Sequence, residues 1–293
     1  INPDKIEDYL KNGGYEGLRK AFELGPGKII SEIKKSALLG RGGAAFPAGI
    51  KWELTYQEKN YPKYVIANAE EGEPGTFKDR ALLEKDPHSV IEGLIIAGLA
   101  TNAEYGFIYL KEEYKSAYKT LQKALIQAGK KNFLGKNILG SSFSFNIQIR
   151  LGAGAYITGE ETALFNAVEG LRPIPRIKPP YPNKFGVFGK PTVVNNVETL
   201  AYIPQIIFHG ADWFKKYGVP GSYGTKLVCL SGDVKKVDVY EIELGKYTLK
   251  EIIYGLAGGI KKNKKIKAVI PGGASTQFLA GKELNVKYDF DSL

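Results

Sequence analysis

One cysteine, two histidines and no methionine among 293 residues remove several kinds of chemistry before any motif is considered. A single thiol, Cys229, forms no internal disulfide, a usage that suits a reducing compartment. It also excludes an all-cysteine iron–sulfur cluster held within this chain, which takes about four thiolates. His88 and His209 stand far outside zinc-site spacing, so no metal centre is expected, and each reads as a surface or capping residue. No apolar run approaches the roughly 18 residues of a membrane span. The start, Ile1-Asn2-Pro3-Asp4-Lys5, has no signal-peptide character. The missing methionine leaves open a piece of a longer chain, a modified residue left unwritten, or an engineered sequence.

Charge of one sign is in modest excess. The net charge is +10, with a KKNKK run at 261–265, and a basic surface attracts nucleic acid, anionic lipid or acidic partners. Neither an aromatic-and-basic RNA motif nor a helix–turn–helix pattern accompanies it, so the run reads as a solvated lysine loop between two strands. With 43% hydrophobic residues the chain has room for one large domain, or a large and a small one.

Glycine, asparagine and carboxylate are what the sequence has, and they gather in three segments at expected helix starts. These are GRGGAAF at 40–46, GAGAYITGEE at 152–161 and VVNNVET at 193–199. Bare glycine backbone admits a phosphate or a flat ring closely, and a helix N-terminus offers unpaired N–H donors to an anion. Three such segments in one chain point to a large phosphorylated aromatic ligand held from several sides, a nucleotide or a flavin.

Hydrophobic patterning supplies the frame. Asp4 is a candidate cap for a helix over 5–11, and Ile29, Ile30, Ile33 and Leu38 recur at helical spacing. Residues 64–67, 107–110, 145–150 and 192–194 read as strands. Helices are expected at 86–100, with Asp86 as cap and Pro87 at the first position, at 115–128, and from Thr199 to His209. Strand alternating with helix is the α/β signature. Five prolines make 172–184 an extended loop. Beyond residues 219–222 the texture changes to a small α+β module, with strands at 226–230 and 266–270 and a short helix at 249–256.

The local chemistry is suggestive segment by segment. Gly40, Gly42 and Ala45 fit G-x-G-x-x-[G/A], yet follow a helix-like stretch rather than a strand, which does not support an ordinary doubly wound dinucleotide fold. Arg41 and Lys51 add cations beside the loop. Asn195 reads as an N-cap with Glu198 completing a capping box, and Thr199 nearby could grip phosphate oxygens. Glu70, Glu71 and Glu73 form an acidic loop after a buried strand, and Glu160 and Glu161 a second pair. Such carboxylates bind a hard cation, run acid–base chemistry, or accept ribose hydroxyls while repelling a 2′-phosphate. Phe46, Trp52 and Tyr181 offer aromatic faces.

Taken in order, GRGGAAFPAGIK at 40–51, NAEEGEPGTFKDR at 68–80, GAGAYITGEET at 152–162, RIKPPYP at 176–182 and VVNNVET closely resemble the NADH-binding, FMN-containing flavoprotein subunit of respiratory complex I. Related subunits serve NAD-linked hydrogenases and formate dehydrogenases. The resemblance implies a Rossmann-like FMN- and NADH-binding domain over 1–220, followed by a β-grasp domain over 221–293. Position by position, it implies FMN phosphate and ribityl chain on Gly40, Arg41, Gly42 and Lys51. Asn68, Glu70, Gly159, Glu160, Asn195, Asn196 and Thr199 complete that cofactor site, with Tyr156 nearby. NADH would lie over the flavin ring, with Phe46 and Tyr181 stacking adenine and Glu73, Glu161 and Lys178 as further contacts. No catalytic side chain is implied, because hydride passes directly from nicotinamide to flavin.

Two positions depart from the family pattern. Glu70 stands where Asp is usual, and Leu54 where an adenine-stacking phenylalanine is common. Relatives continue into a helical domain whose cysteines hold a [4Fe–4S] cluster, which residues 1–293 lack, so the electron exit is expected elsewhere. Implied partners are a thioredoxin-like [2Fe–2S] subunit and a larger iron–sulfur subunit, and the implied location is cytoplasmic or peripheral at the inner face of the cytoplasmic membrane. Two other readings stay open: a non-catalytic scaffold of an electron-transfer complex, and a quinone- or cobalamin-binding protein built on the β-grasp module.

Overall fold

Four segments rich in β-branched and aromatic residues pair in parallel at the centre of a computed structural model that describes residues 2–274 and 276–293. The first residue of the start considered above lies outside that description. The chain separates into two units, Ile1–Gly72 with Asp79–Ala211, and Glu73–Lys78 with Asp212–Leu293.

The first unit opens with helices α1 (Ile6–Lys11), α2 (Glu16–Leu24), α3 (Pro26–Ser36) and α4 (Ala48–Gln57). There follow β1 (Tyr64–Ala69), α5 (Lys78–Lys85), α6 (Pro87–Thr101), β2 (Tyr105–Lys111), α7 (Lys115–Lys130), β3 (Asn146–Gly152), α8 (Glu161–Val168), β4 (Thr192–Asn196) and α9 (Val197–His209), and α10 (Ala211–Phe214) begins at the unit's last residue and runs on into the second. Strand order is β3-β2-β1-β4, all parallel, as expected of alternating strand and helix. Tyr64 pairs with Tyr105 on one side and Thr192 on the other, so β1 is central and buried on both faces. On one face α8 packs Leu164, Phe165 and Val168 against Ile66, Phe107 and Val194. On the other, α6 packs against β1 and β2, and α9 against β1 and β4.

Helix α6 is largely apolar and buried throughout, which is the pattern of a central helix. At its crossing with α9 a Cβ added to Gly93 would stand 2.1 Å from the Leu200 carbonyl, so only glycine fits. One turn of α6 carries a charge into this core. Glu92 accepts hydrogen bonds from the Tyr9 hydroxyl (2.7 Å), the Tyr15 amide (2.8 Å) and the Leu18 amide (2.8 Å). It therefore caps α2 from another helix, at a point where Tyr15 holds a left-handed backbone at φ 62°. His88, expected at the surface, is buried here: it stacks on Tyr9 and bonds Tyr15 and Gln127 at 3.1 Å each. His209 is exposed in the last turn of α9.

Several expected caps differ. Asp4 pairs with Lys123 at 2.9 Å instead of capping α1, and Asp86 occupies the cap position of α6 without a side-chain capping bond. The Ser89 hydroxyl bonds the Asp86 carbonyl at 2.8 Å there.

The second unit contains the short pair β5 (Gly218–Val219) and β6 (Ser222–Tyr223), the antiparallel hairpin β7 (Thr225–Leu230) and β8 (Asp238–Glu243), and α11 (Leu249–Glu251) with a wider turn at Ile252–Leu256. Val228, Ile242, Leu244, Leu249, Ile252 and Tyr288 form its core. The strand expected at 266–270 is absent: that stretch is irregular, touching the sheet pattern at a single bridge, Val269 with Leu279. Lys261, Lys262, Lys264 and Lys265 are exposed, as a solvated run should be, but a short turn and irregular chain flank them in place of two strands.

Candidate functional site

In an open parallel sheet a ligand crevice forms beyond the C-terminal strand ends, where the order of connection reverses. With order 3-2-1-4, that reversal falls between β1 and β4, and the chain leaves those two strands through Asn68–Glu70 and Asn195–Asn196. The three glycine, asparagine and carboxylate segments meet at this edge.

The glycine loop follows α3, not a strand, and is pinned to the start of α9 by a bond from the Arg41 amide to the Thr199 hydroxyl (2.9 Å). A Cβ on Gly42 would approach the Asn196 Cβ to 3.1 Å, so loop and helix start lie nearly in contact. Arg41 is buried with its guanidinium 5.6 Å from the Tyr202 ring centre, and burial pulls it below the usual arginine range. Asn196, rather than Asn195, caps α9: its side chain accepts the Glu198 amide (3.0 Å) and donates to Asp79 (2.6 Å). Asn195 remains in the ladder of β4 and accepts the indole N–H of Trp52 at 2.9 Å, while no capping box forms with Glu198. Trp52 is fully buried and offers no free face.

At the end of β1, Asn68 donates to the Gly159 carbonyl (2.9 Å) and accepts the Glu70 amide (3.1 Å), joining the second glycine segment to the acidic loop. Glu71 is structural: its carboxylate accepts the Asp79 and Arg80 amides and the Tyr114 hydroxyl. Glu70 differs. It is 8% exposed and both carboxylate oxygens are buried without a hydrogen-bond partner, so burial pushes its pKa up, moderated by Lys111. Burial and the Glu70 charge also raise the Tyr109 phenol. A buried carboxylate without donors costs free energy unless a ligand supplies them.

The second carboxylate pair is fully engaged. Glu160 caps α8, accepting the Thr162 and Ala163 amides at 2.9 Å each and the Thr162 hydroxyl at 2.5 Å. Burial pushes it up, but the Thr162 and Ala163 bonds and Lys178 outweigh that and hold it below the usual range. Glu161 binds Lys178 at 2.7 Å and Lys51 at 3.3 Å, which likewise overcome its burial. Lys51 also reaches the Val194 carbonyl (3.4 Å) and lies 5.8 Å from the Phe46 ring centre. Phe46, Leu54, Tyr156 and Tyr181 are exposed, and a Cβ on Gly72 would meet the Tyr156 ring at 3.2 Å. Glu73 falls in the second unit, where its carboxylate accepts the Ala274 amide.

The profile Complex1_51K, the Nuo51 FMN-binding domain, matches residues 33–205, and the SLBB domain matches 226–292. The chain belongs to the Nuo51 FMN-binding family. A subunit of the NADH-quinone oxidoreductase of Rhizobium meliloti is 47% identical over 98% of this chain and 68% of that protein. The HndC subunit of the NADP-reducing hydrogenase of Solidesulfovibrio fructosivorans is 47% identical over 100% of this chain and 59% of its own length. A chain of the NAD+-reducing [NiFe]-hydrogenase, solved by crystallography, superposes with a TM-score of 0.82 at 37% identity, covering 92% of this chain and 45% of that one. The chain thus spans 59–68% of the length of these curated relatives and under half of that hydrogenase chain. The parallel α/β sheet agrees with the FMN-binding match, and the SLBB match falls on the later residues, a β-grasp-like domain type.

FMN fits the donor and acceptor set at the strand ends. The close glycine loop and the start of α9 suit an anion, and the Glu70 carboxylate lacks the donors that ribityl hydroxyls carry. What sequence reasoning missed is Asp79, which positions Asn196. An acid nine residues beyond Glu70 carries no local signal of that contact.

Proposed function

We propose that this chain is the NADH-oxidising flavoprotein part of a complex I-type or NAD-linked hydrogenase-type assembly, with residues 1–220 carrying FMN and NADH and 221–293 the β-grasp domain. The observation that carries the reading is the Glu70 carboxylate, buried without donors at the switch point of the sheet beside the glycine loop. Gly40, Arg41, Gly42, Lys51 and Thr199 would hold the FMN phosphate and ribityl chain. Asn68, Glu70, Gly159, Glu160, Asn195 and Asn196 would hold the rest, near Tyr156. Bound FMN supplies a two-electron hydride acceptor that gives electrons up singly.

The chain's own part is positioning. Trp52 fixes Asn195, Asp79 fixes Asn196, and the Lys51–Glu161–Lys178 set holds charge beside Phe46, which with exposed Tyr181 would offer its face to NADH. Glu73 and Glu161 would oppose the 2′-phosphate of NADPH. Electrons would leave through a thioredoxin-like [2Fe–2S] subunit and a larger iron–sulfur subunit. The assembly would be cytoplasmic or peripheral at the inner membrane face; among the described residues no helix is long and apolar enough to cross a membrane.

The test is the visible spectrum of the chain with added FMN, then anaerobic titration with NADH. Bound flavin that bleaches is expected. Bound flavin that stays coloured favours a scaffold, and no bound flavin overturns the site. Glu161→Gln or Glu73→Gln should weaken NADH more than FMN, and equal loss of both would make these acids structural.

A further inference from the structure

At the opposite end of the same sheet, a half-open cleft of about 130 Å³ is lined from the first residues of β1, β2 and β3: Tyr64, Tyr105 and Asn146. Parallel sheets ordinarily have both faces covered by helices. Here α8 covers Ile66, Phe107 and Tyr109, while on β3 the residues paired with Tyr105, Phe107 and Tyr109, namely Asn146, Gln148 and Arg150, stay exposed.

The walls of the cleft are aromatic and held in place. Tyr64 stacks on Tyr105 at 5.8 Å and on Phe107 at 5.9 Å, and Phe188 meets Tyr64 edge-on at 5.6 Å. Phe188 adopts a left-handed backbone, φ 53°, which a bulky residue keeps only where its surroundings enforce it. The enforcement is visible: the Phe188 amide donates to Glu169 (2.7 Å), and Arg176 fixes that carboxylate from its other oxygen (2.7 Å).

One cation serves this aromatic box. The Arg150 guanidinium lies 5.7 Å from the Phe107 ring centre and, among the described residues, makes no hydrogen bond or ion pair. The carboxamides of Asn146 and Gln148 and the Tyr64 and Tyr105 hydroxyls likewise make no hydrogen bond among the described residues. Glu104 stands just before β2, where its carbonyl accepts the Asn146 amide (3.3 Å), so an anionic head is directed away from it to the Arg150 end.

We propose that this cleft binds a small planar carboxylate, its ring against the tyrosine and phenylalanine faces and its carboxylate on Arg150. Arginine stacked on an aromatic face presents a fork matched to a carboxylate. An apolar cavity of about 150 Å³ holds one benzene ring, so a cleft of about 130 Å³ has room for a single ring. The site lies apart from the strand ends assigned to FMN and does not rest on that assignment.

The test uses the whole chain with benzoate as probe and neutral benzamide as its isostere, followed by ligand-observed NMR and calorimetry. Benzoate should saturate with Kd of about 1 mM or below, and benzamide should bind about tenfold or more weakly. Arg150→Gln should weaken benzoate about tenfold while leaving benzamide unchanged, and Tyr105→Ala should weaken both. FMN affinity should stay constant in both variants. Absence of saturable benzoate binding overturns the proposal, as does equal binding of benzoate and benzamide by the wild-type chain. Retention of benzoate affinity in folded Arg150→Gln overturns the role of Arg150.

Discussion

Two buried glutamates of the first unit live in opposite circumstances. Glu92, within the helical layer, receives three hydrogen bonds from groups 74 to 83 residues away. Glu70, at the end of the central strand, receives none on either carboxylate oxygen. Folding alone selects against a buried acid without donors. A buried acid with a full set of donors marks scaffold; one without marks a place where something else completes the bonding. The contrast separates what holds this chain together from what it holds.

The sharpest way to break the comparison is Glu92→Ala. It leaves the Tyr9 hydroxyl and the Tyr15 and Leu18 amides unsatisfied in the core. At roughly 1–3 kcal/mol for each of the three orphaned groups, a loss of about 3 kcal/mol or more is expected, read as a lower denaturant midpoint. FMN affinity of the folded fraction should hardly change. A stable Glu92→Ala chain with weakened flavin would reverse the two roles.

The pH dependence sharpens the same point. Burial raises Glu92 to about 7, against the bonds from Tyr9, Tyr15 and Leu18 that favour its charge. A carboxyl raised above its unfolded value of 4.5 makes the folded state the better proton binder. Its contribution is therefore full below about pH 4.5 and is lost as pH rises through 7, by up to about 3 kcal/mol. Asp86, also raised by burial, adds to this slope, whereas His88, lowered by burial, works against it. Denaturant midpoints across this window should fall more steeply with rising pH in wild type than in Glu92→Ala. Parallel curves would mean Glu92 does not titrate there.

The acidic loop after a buried strand pointed to Glu70 in the sequence, whereas nothing local pointed to Glu92. Sequence reading placed all four core strands and the glycine-loop environment correctly because both depend on local pattern: apolar runs, and glycine beside helix starts. It placed Asn195 one position wrong as a cap, because what keeps Asn195 extended is its pairing in β4 with Ala67 of β1. It gave residues 266–270 a strand because they are apolar, but no continuous partner pairs with them. Glu92 is the one carboxylate of a largely apolar helix, and its partners lie in a segment more than 70 residues earlier. Asp86 looked like a cap because Asp-Pro usually is one; here the Ser89 hydroxyl takes the Asp86 carbonyl and the carboxylate does no capping.

For Glu70 the expected result is the mirror of Glu92. Glu70→Ala removes a desolvated charge that no donor compensates, so stability should hold or rise slightly. Flavin affinity should fall about tenfold or more, about 1.4 kcal/mol, measured by quenching of FMN fluorescence. A chain that loses stability but keeps its flavin affinity would make Glu70 scaffold after all.

The smallest effect is expected at Gly42, and it tests whether the edge is shaped for a ligand or only closely packed. A Cβ there would meet the Asn196 Cβ at 3.1 Å, a contact that a shift of a few tenths of an ångström relieves. Gly42→Ala should therefore cost about 1 kcal/mol or less in stability. Asn196 caps α9 and bonds Asp79, so moving it displaces the helix start from the glycine loop. If that gap is where a phosphate lies, flavin affinity should drop by more than stability does. If the two fall together, the glycine is there for packing, and the anion must rest on Arg41 and Lys51 alone.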